Sequence, residues 1–195
     1  MIDNIELIKQ FLVFDSEDDF YYLQILQRKK ENELLTSNSR VIKNYYISSL
    51  ESLIDQYDEI KSLCKRFNAR ASLRLNRRSY EKIAYQTLLA VTNTIMNKDF
   101  KSVKRQYDKS CGQFNNEKTK KWILDIDDKN ADLDRIKAGV KFCEPNIGED
   151  KVICVMPTKN GFHIITTSFN TQQFAQSSRL SIDIHKDNPV NLFIP

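Results

Sequence analysis

The first 64 residues carry apolar side chains at helical spacing. Over residues 4–30 these side chains recur three or four positions apart, which predicts a helix. A polar stretch, NELLTSNSR, interrupts the pattern, and residues 45–64 return to helical spacing. We therefore expect residues 1–64 to form an N-terminal helical region.

The hydrophobic period changes to two near residue 67. In FNARASLRLN, residues 67–76, apolar and polar positions alternate, as they do in a strand with one buried face. Ser79 stands where it can cap a following helix over residues 80–97, and a shorter basic helix is predicted over residues 99–108. A strand followed by helices indicates that an α+β unit begins here.

From residue 121 onward, strand patterns and helix patterns alternate. The Asn160-Gly161 pair lies between two strand patterns and is typical of a hairpin turn. The predicted strands cover residues 121–126, 151–156 and 162–167, with a last pair near 180–185 and 190–194, and the predicted helices cover residues 131–143 and 171–177. We expect residues 65–195 to form an α+β core with helices packed on its sheet, joined to the helical region in one compact unit.

The composition fits a folded protein whose charge is unevenly distributed. The chain has 195 residues, of which 41% are hydrophobic, and this is enough for a sizeable core. The net charge is +4, but residues 1–20 carry six acids and one lysine, whereas residues 61–82 carry eight cationic side chains and one acid. Residues 98–121 are also basic. A basic middle is typical of proteins that bind nucleic acid or nucleotide phosphates, although a solvated lysine-rich surface has the same composition.

Three other kinds of protein receive no support from the sequence. No apolar run is long enough to span a bilayer, so we expect no membrane partner. The acidic N-terminus lacks the pattern of a signal peptide, so we expect a cytoplasmic location. The four cysteines are widely spaced, without a CxxC pair or a Cys/His cluster, which predicts free thiols and not a structural zinc site.

Asp125 and Asp127 close the apolar strand pattern of WILDID. Alternation along a strand places both carboxylates on one face, with their Cα atoms about 6.6 Å apart. Two carboxylates at this spacing can converge on a hard cation such as Mg²⁺, which prefers oxygen ligands and substrate phosphates. Acids also cluster at turns, where solvent surrounds them, so this motif alone leaves both interpretations open.

Two further segments place polar groups inside apolar strand patterns. His163 follows the hairpin turn in TKNGFHII, where Lys159 and the N–H groups of the turn could receive phosphate oxygens, although a structural histidine is the alternative. Asp183 lies within the apolar SIDI, and a buried carboxylate needs a metal or a basic partner. His185 shares the face of Asp183 if the strand continues, but the sequence favours an exposed turn for it.

The three motifs WILDID, TKNGFH and SIDI occur in an order that resembles the archaeo-eukaryotic primase superfamily, the primase-polymerases. The resemblance covers about residues 65–195, and the order and strand context of the motifs carry it. It implies an RRM-like α+β core that carries out metal-dependent nucleotidyl transfer, with Mg²⁺ or Mn²⁺ as the cofactor.

The resemblance also implies roles for individual residues. Asp125, Asp127 and Asp183 match the catalytic acids that bind metal in the family. His163 matches the histidine that contacts the incoming triphosphate, and Lys159 lies where the family places a basic or small residue near the phosphates.

Four arginines in and after the alternating strand fit the same scheme. Arg70 and Arg74 share the polar face of the strand, about 13 Å apart at strand rise. Arg77 and Arg78 follow at the predicted helix entry, where backbone N–H groups also favour anions. We expect Arg70 and Arg74 to bind nucleotide phosphates and Arg77 and Arg78 to bind nucleic acid; the alternative is an edge strand kept soluble by its arginines.

The expected function is transfer of nucleotides from an NTP or dNTP to a nucleic-acid 3′ hydroxyl. The expected partners are a nucleoside triphosphate and a DNA or RNA template, and the N-terminal region is a candidate to dock a helicase or another replication protein. Three alternatives remain open: a non-catalytic nucleic-acid-binding module, a different metal-dependent phosphoryl-transfer enzyme such as a nuclease, and a partner-binding protein that presents Tyr21-Tyr22 and Tyr45-Tyr46.

Overall fold

The computed structural model describes residues 1–178 and 182–195, which form two antiparallel sheets and, within these ranges, six α-helices. The expected α+β class is confirmed; the start of the strand expected near 180–185 lies outside the described residues. The strands are β1 (Ile2–Asp3), β2 (Asp19–Arg28), β3 (Ser39–Ile47), β4 (Arg70–Arg74), β5 (Arg78–Ser79), β6 (Lys121–Ile126), β7 (Val152–Pro157), β8 (Phe162–Thr167), β9 (Asp183–His185) and β10 (Pro189–Ile194). The helices are α1 (Ile5–Lys9), α2 (Leu50–Phe67), α3 (Tyr80–Met96), α4 (Gln106–Gln113), α5 (Leu133–Lys141) and α6 (Thr171–Ser178), with 3₁₀ helices at Lys29–Glu31 and Phe100–Arg105.

The first sheet has the strand order β1-β10-β4-β2-β3, and β5 pairs with β2. The alternating strand predicted at residues 67–76 is β4, which lies inside the sheet and not at its edge. Leu73 of β4 pairs with Leu23 of β2 on one side and with Val190 of β10 on the other. This sheet therefore combines strands from either side of residue 64.

The chain does not begin with the helical region that the sequence predicted over residues 1–64. The strands β2 and β3 occupy much of that stretch, and helix is confined to α1, α2 and a short 3₁₀ turn. In β2, Tyr21 and Leu23 belong to the main core, whereas Phe20 and Tyr22 pack in a second cluster against α3 and α4. Because both faces of β2 are buried, its apolar residues do not alternate with polar ones, and their spacing imitates that of a helix.

The second sheet, with the order β7-β8-β6-β9, lies between two helices and the first sheet. On one face, Leu124 and Ile164 pack with Ile136 of α5 and Phe174 of α6. On the other face, Ile123 joins the main core that also contains the first sheet and α2. The side chains of residues 121–126 therefore alternate between the two faces of the sheet, as predicted, and both faces make apolar contacts.

Two asparagine side chains join the sheets. Nδ2 of the buried Asn76 donates to the carbonyl oxygens of Lys121 and Lys186 at 3.1 and 3.2 Å, and its Oδ1 accepts from the Lys121 N–H at 2.7 Å. Asn4, which follows β1, donates to the carbonyl oxygen of Pro157 in β7 at 3.2 Å. These bonds hold the two sheets at the positions that form the cleft described below.

The described helices include none with both the length and the apolar character needed to cross a bilayer. The cysteines are free thiols, as the sequence predicted, and three of the four are buried, namely Cys64, Cys111 and Cys143.

Candidate active-site cleft

Three of the predicted site residues lie side by side in the second sheet. Asp125 in β6 pairs with His163 in β8 and with Asp183 in β9. Residues directly opposite in antiparallel strands project to the same face, so the three side chains share one face. Because Ile123, two positions before Asp125, packs in the main core, this is the face that looks towards the first sheet.

The Asp125 carboxylate lies between two imidazoles. His163 Nε2 is 3.3 Å from Oδ1 of Asp125, and His185 Nε2 is 3.9 Å from Oδ2. The contact with His163 is the main cause that lowers the pKa of Asp125; partial burial opposes it, and the charges of His163, His185 and Arg28 add to the lowering. Asp125 is therefore an anion at neutral pH. The sequence favoured an exposed turn for His185, but the structure places it half-buried in β9.

Asp127 lies one position beyond the end of β6, where the β7–β8 turn packs against the chain. A Cβ on Gly161 would lie 1.9 Å from the carbonyl oxygen of Ile126 and 2.8 Å from the Asp128 nitrogen, so a side chain at this position has no space. The turn is closed by Thr158, whose N–H donates to the Gly161 carbonyl at 2.9 Å and whose Oγ1 accepts from the Gly161 N–H at 3.0 Å. This close approach holds the turn beside Asp127.

A cavity of about 490 Å³ separates the acidic second sheet from a basic wall on the first sheet. Asp125, Asp127 and His163 line one side, together with His185, Lys159 and Asn160 of the second sheet and its turn. Asp183 is exposed in β9, not buried as its apolar neighbours in the sequence suggested, and it does not line the cavity. The opposite side is lined by Arg28, Lys30, Arg70, Ser72 and Asn191. Carboxylates thus face cations across a space large enough for a small polyanionic ligand together with its counter-ions.

Glu31 connects the two walls at the edge of this cavity. Its carboxylate accepts from Arg70 Nε at 2.9 and 3.0 Å and also from Arg70 Nη2, and it lies 3.7 Å from Lys159 Nζ. Burial alone would raise the pKa of Glu31, but Arg70, Lys159 and Arg28 lower it overall. Arg70 lines the cavity, with part of its charge neutralised by Glu31, and its binding to nucleotide phosphates stays a prediction.

Arg74 lies over a second cavity, of about 830 Å³, on the same face of the first sheet. Its Nη1 donates to the carbonyl oxygen of Asp187 at 2.6 Å, and its buried Nε has no hydrogen-bond partner among the described residues. Burial lowers the pKa of Arg74, while the charges of Asp187 and Tyr22 oppose this effect. The two cavities adjoin, since Gln24 lines the second cavity and its register partner Ser72 lines the first.

The structure places Arg77 and Arg78 inside the protein. The Arg77 side chain is 7% exposed, and its Nη1 lies 2.7 Å from Asp15 and 3.0 Å from Asp19. The Arg78 side chain is fully buried; it donates to the Cys111 carbonyl at 2.9 Å and to Asp187 at 2.8 Å. The expectation that these two arginines bind nucleic acid receives no support from these positions, because their donors are directed at protein groups.

The acids of the site do not form a preformed metal cage in the part of the chain that the structure describes. Carboxylates directly opposite in neighbouring strands repel one another unless a positive group lies between them, and oxygen donors suit Mg²⁺ and Mn²⁺. Within residues 1–178 and 182–195, however, no group of three or more His, Cys, Asp or Glu side chains is arranged to hold a metal ion. Metal binding by Asp125, Asp127 and Asp183 stays a prediction.

Arg28 and Lys30 are cavity residues that the sequence analysis did not single out. Arg28 is the last residue of β2 and Lys30 follows in the 3₁₀ helix. Because β2 was predicted as helix, there was no reason in the sequence to direct them at the acids. The sequence would have pointed to Arg28 and Lys30 if β2 had been recognised as a strand of the sheet that faces Asp125.

Comparison with models of protein families, with curated proteins and with solved structures yields no match for this chain. The function of this chain is therefore inferred from the geometry of the cleft and from the order of the motifs that form it.

Proposed function

We propose that this protein is a metal-dependent nucleotidyltransferase of the primase-polymerase type, which transfers nucleotides from an NTP or dNTP to a nucleic-acid 3′ hydroxyl. The main support is the alignment of Asp125, His163 and Asp183 on neighbouring strands and on one face, where Asp125 and His163 line a cavity opposite a basic wall. The second sheet, with α5 and α6 on one face, serves in this proposal as the RRM-like core.

The acidic wall would bind the catalytic cations. Asp125, Asp127 and Asp183 would hold Mg²⁺ or Mn²⁺, which stabilises the attacking and leaving oxygens of a phosphoryl transfer. The lowered pKa of Asp125 keeps its carboxylate in the ionised form that ligation needs. The contacts with His163 and His185 hold this carboxylate in place before a ligand enters.

The triphosphate would lie between the acids and the basic wall. His163 and Lys159 approach it from the second sheet, and Arg28 and Lys30 approach it from the first. Cationic donors fixed around the phosphates stabilise the charge that moves onto the leaving pyrophosphate. Release of Arg70 from Glu31 would supply a further guanidinium to the same pocket.

The nucleic-acid strand would run from this pocket into the adjoining cavity. That cavity is lined by Arg74, Arg105 and Lys109. These cationic groups suit the phosphates of a nucleic-acid strand. Because both cavities open on one face of the first sheet, a strand can occupy them together.

Nucleotide incorporation tests the proposal. Wild type is incubated with a primed or unprimed template, labelled NTPs or dNTPs and Mg²⁺ or Mn²⁺, and compared with Asp125→Asn, Asp183→Asn and Asp128→Asn. We expect incorporation by wild type, abolished by chelation of the metal, and a loss of roughly 10²–10³-fold in the first two variants. Asp128 is the matched control because it is an exposed acid next to Asp127 that lies outside the cavity and is not one of the three acids proposed to bind metal.

Each other outcome identifies a different function. Shortening of the strand that depends on Asp125 indicates a nuclease. Salt-sensitive binding that survives Asp125→Asn, without incorporation, indicates a binding module. Equal incorporation by wild type and Asp125→Asn rules out the proposed catalytic role of the acids.

A further inference from the structure

The helix α3 exposes a large apolar surface. Ile83 is its one fully buried side chain. Five large apolar side chains on α3 and one in the following 3₁₀ helix are between 48% and 74% exposed, namely Tyr85, Leu88, Leu89, Ile95, Met96 and Phe100. Isolated exposed apolar residues are common, but so many on one element call for an explanation.

The exposed residues of α3 form one stripe. At helical spacing, five residues lie on a single face of the helix about 120° wide, namely Tyr85, Leu88, Leu89, Ile95 and Met96. Thr94 and Asn97, on the opposite side of the helix, line the cavity that contains Arg74. The stripe therefore faces away from the cavities of the candidate site.

The stripe has the size of an interface core. The five side chains of the stripe and Phe100, just beyond the end of α3, present roughly 500–700 Å² of apolar surface, which is at or above the largest patch of a typical monomer. A specific protein interface covers about 800 Å² on each partner. The stripe together with the charged groups at its two ends reaches that area.

The two ends of α3 carry opposite charges. At the N-terminal end, Glu81 lies beside Asp18, which accepts hydrogen bonds from the first N–H groups of the helix at 2.9 Å, and Glu17 is exposed nearby in the chain. Lys82 is also exposed in the first turn, but the acids outnumber it. Beyond the C-terminal end, the exposed Lys98, Lys101 and Lys104 outnumber the exposed Asp99. Two such helices packed antiparallel would place the acidic end of each on the basic end of the other, and their dipoles would also be antiparallel.

We propose that the occupant of this face is a second copy of the chain, bound through α3 in an antiparallel, two-fold symmetric dimer. A symmetric interface requires a self-complementary surface, and an apolar centre with an acidic end and a basic end meets this requirement. The dimer leaves the cavities on the far side of each α3 accessible. It does not depend on the proposed nucleotidyl transfer.

The mass of the protein in solution tests the dimer. Light scattering or sedimentation is followed across about a hundredfold range of protein concentration. We expect wild type to approach twice the 22.9 kDa mass of one chain as concentration rises. Leu88→Glu and Met96→Glu are expected to remain at the mass of one chain throughout, with unchanged circular dichroism. Leu34→Glu is the matched control, because Leu34 is 99% exposed in the β2–β3 connection, away from α3, and is expected to dimerise like wild type.

Charge reversal tests the antiparallel arrangement. Glu81→Lys is expected to weaken association by about tenfold, and addition of Lys98→Glu and Lys101→Glu in the same chain is expected to restore it. A wild type that keeps the mass of one chain at every concentration overturns the proposal. So does a dimer that persists in Leu88→Glu and Met96→Glu, since it would use another surface.

Discussion

At the scale of single residues, the candidate site depends on one carboxylate and one glycine. Asp125 is surrounded by side chains from β8 and β9, which lower its pKa and hold its carboxylate on the face that looks towards the first sheet. Gly161 allows the β7–β8 turn to lie against the end of β6. The glycine therefore decides where Lys159 and Asp127 lie relative to each other.

We predict that Gly161→Ala will displace the β7–β8 turn of the candidate site and destabilise the protein, whereas Gly112→Ala will not. The added methyl group would overlap the Ile126 carbonyl, so the turn must move, at a cost of about 1–3 kcal/mol in unfolding free energy. Denaturant unfolding of both variants measures the cost, and nucleotide incorporation by Gly161→Ala measures the damage to the site. Gly112→Ala is the control, because its Cβ would lie 3.7 Å from the nearest atom, an ordinary contact inside a helix. Equal stability of the two variants would contradict the packing described for the turn.

At the scale of elements, burial decides how a pattern must be interpreted. The strand β4 alternates apolar and polar residues because its two faces differ, and the sequence predicted it correctly. The strand β2 is buried on both faces, and its apolar residues were taken for a helix. The helix α2 shows the simpler case of an amphipathic helix, with Leu53 fully buried and the next residue, Ile54, 53% exposed.

Leu53 and Ile54 form a matched pair for a test of this burial. We predict that Leu53→Ala will lower the free energy of unfolding by about 2–5 kcal/mol, because it leaves a cavity in the main core. Ile54→Ala removes a side chain that already contacts water and is expected to cost less than about 1 kcal/mol. Denaturant unfolding of both variants measures the difference, and similar costs would show that the described face of α2 is not the one buried in solution.

At the scale of the whole molecule, hydrogen bonds between the sheets create the cleft. Asn76 follows β4 and binds the backbone at the start of β6 and after β9. Arg78 and Arg74 both contact Asp187, in the connection between β9 and β10. The acids of one sheet face the cations of the other because these contacts fix the distance between the sheets.

We predict that Asn76→Ala will loosen the second sheet from the first. The change leaves the Lys121 N–H and two partly buried carbonyl oxygens without their partner, and we expect a cost of about 2–4 kcal/mol in unfolding free energy. The fluorescence of Trp122, next to Lys121 and the one tryptophan of the chain, should report the transition at lower denaturant. Asn130→Ala, in an exposed loop, is the control and should stay within about 0.5 kcal/mol of wild type. Coincident unfolding curves for wild type and Asn76→Ala would exclude this role.

The sequence by itself determined the α+β class, the strand that carries Asp125, the hairpin before His163 and the apolar segment that carries Asp183. These features depend on the alternation of apolar and polar residues and on the residue types found in turns, and both can be recognised in a short stretch of sequence. Tertiary structure alone decided that β2 is a strand, that His185 lies beside Asp125 and that Arg28 and Lys30 face the acids. It also decided that Arg77 and Arg78 are buried, because their partners, Asp15, Asp19 and Asp187, lie far from them in sequence. The environment of a charge depends on which chain segments fold against it, and no local pattern encodes that.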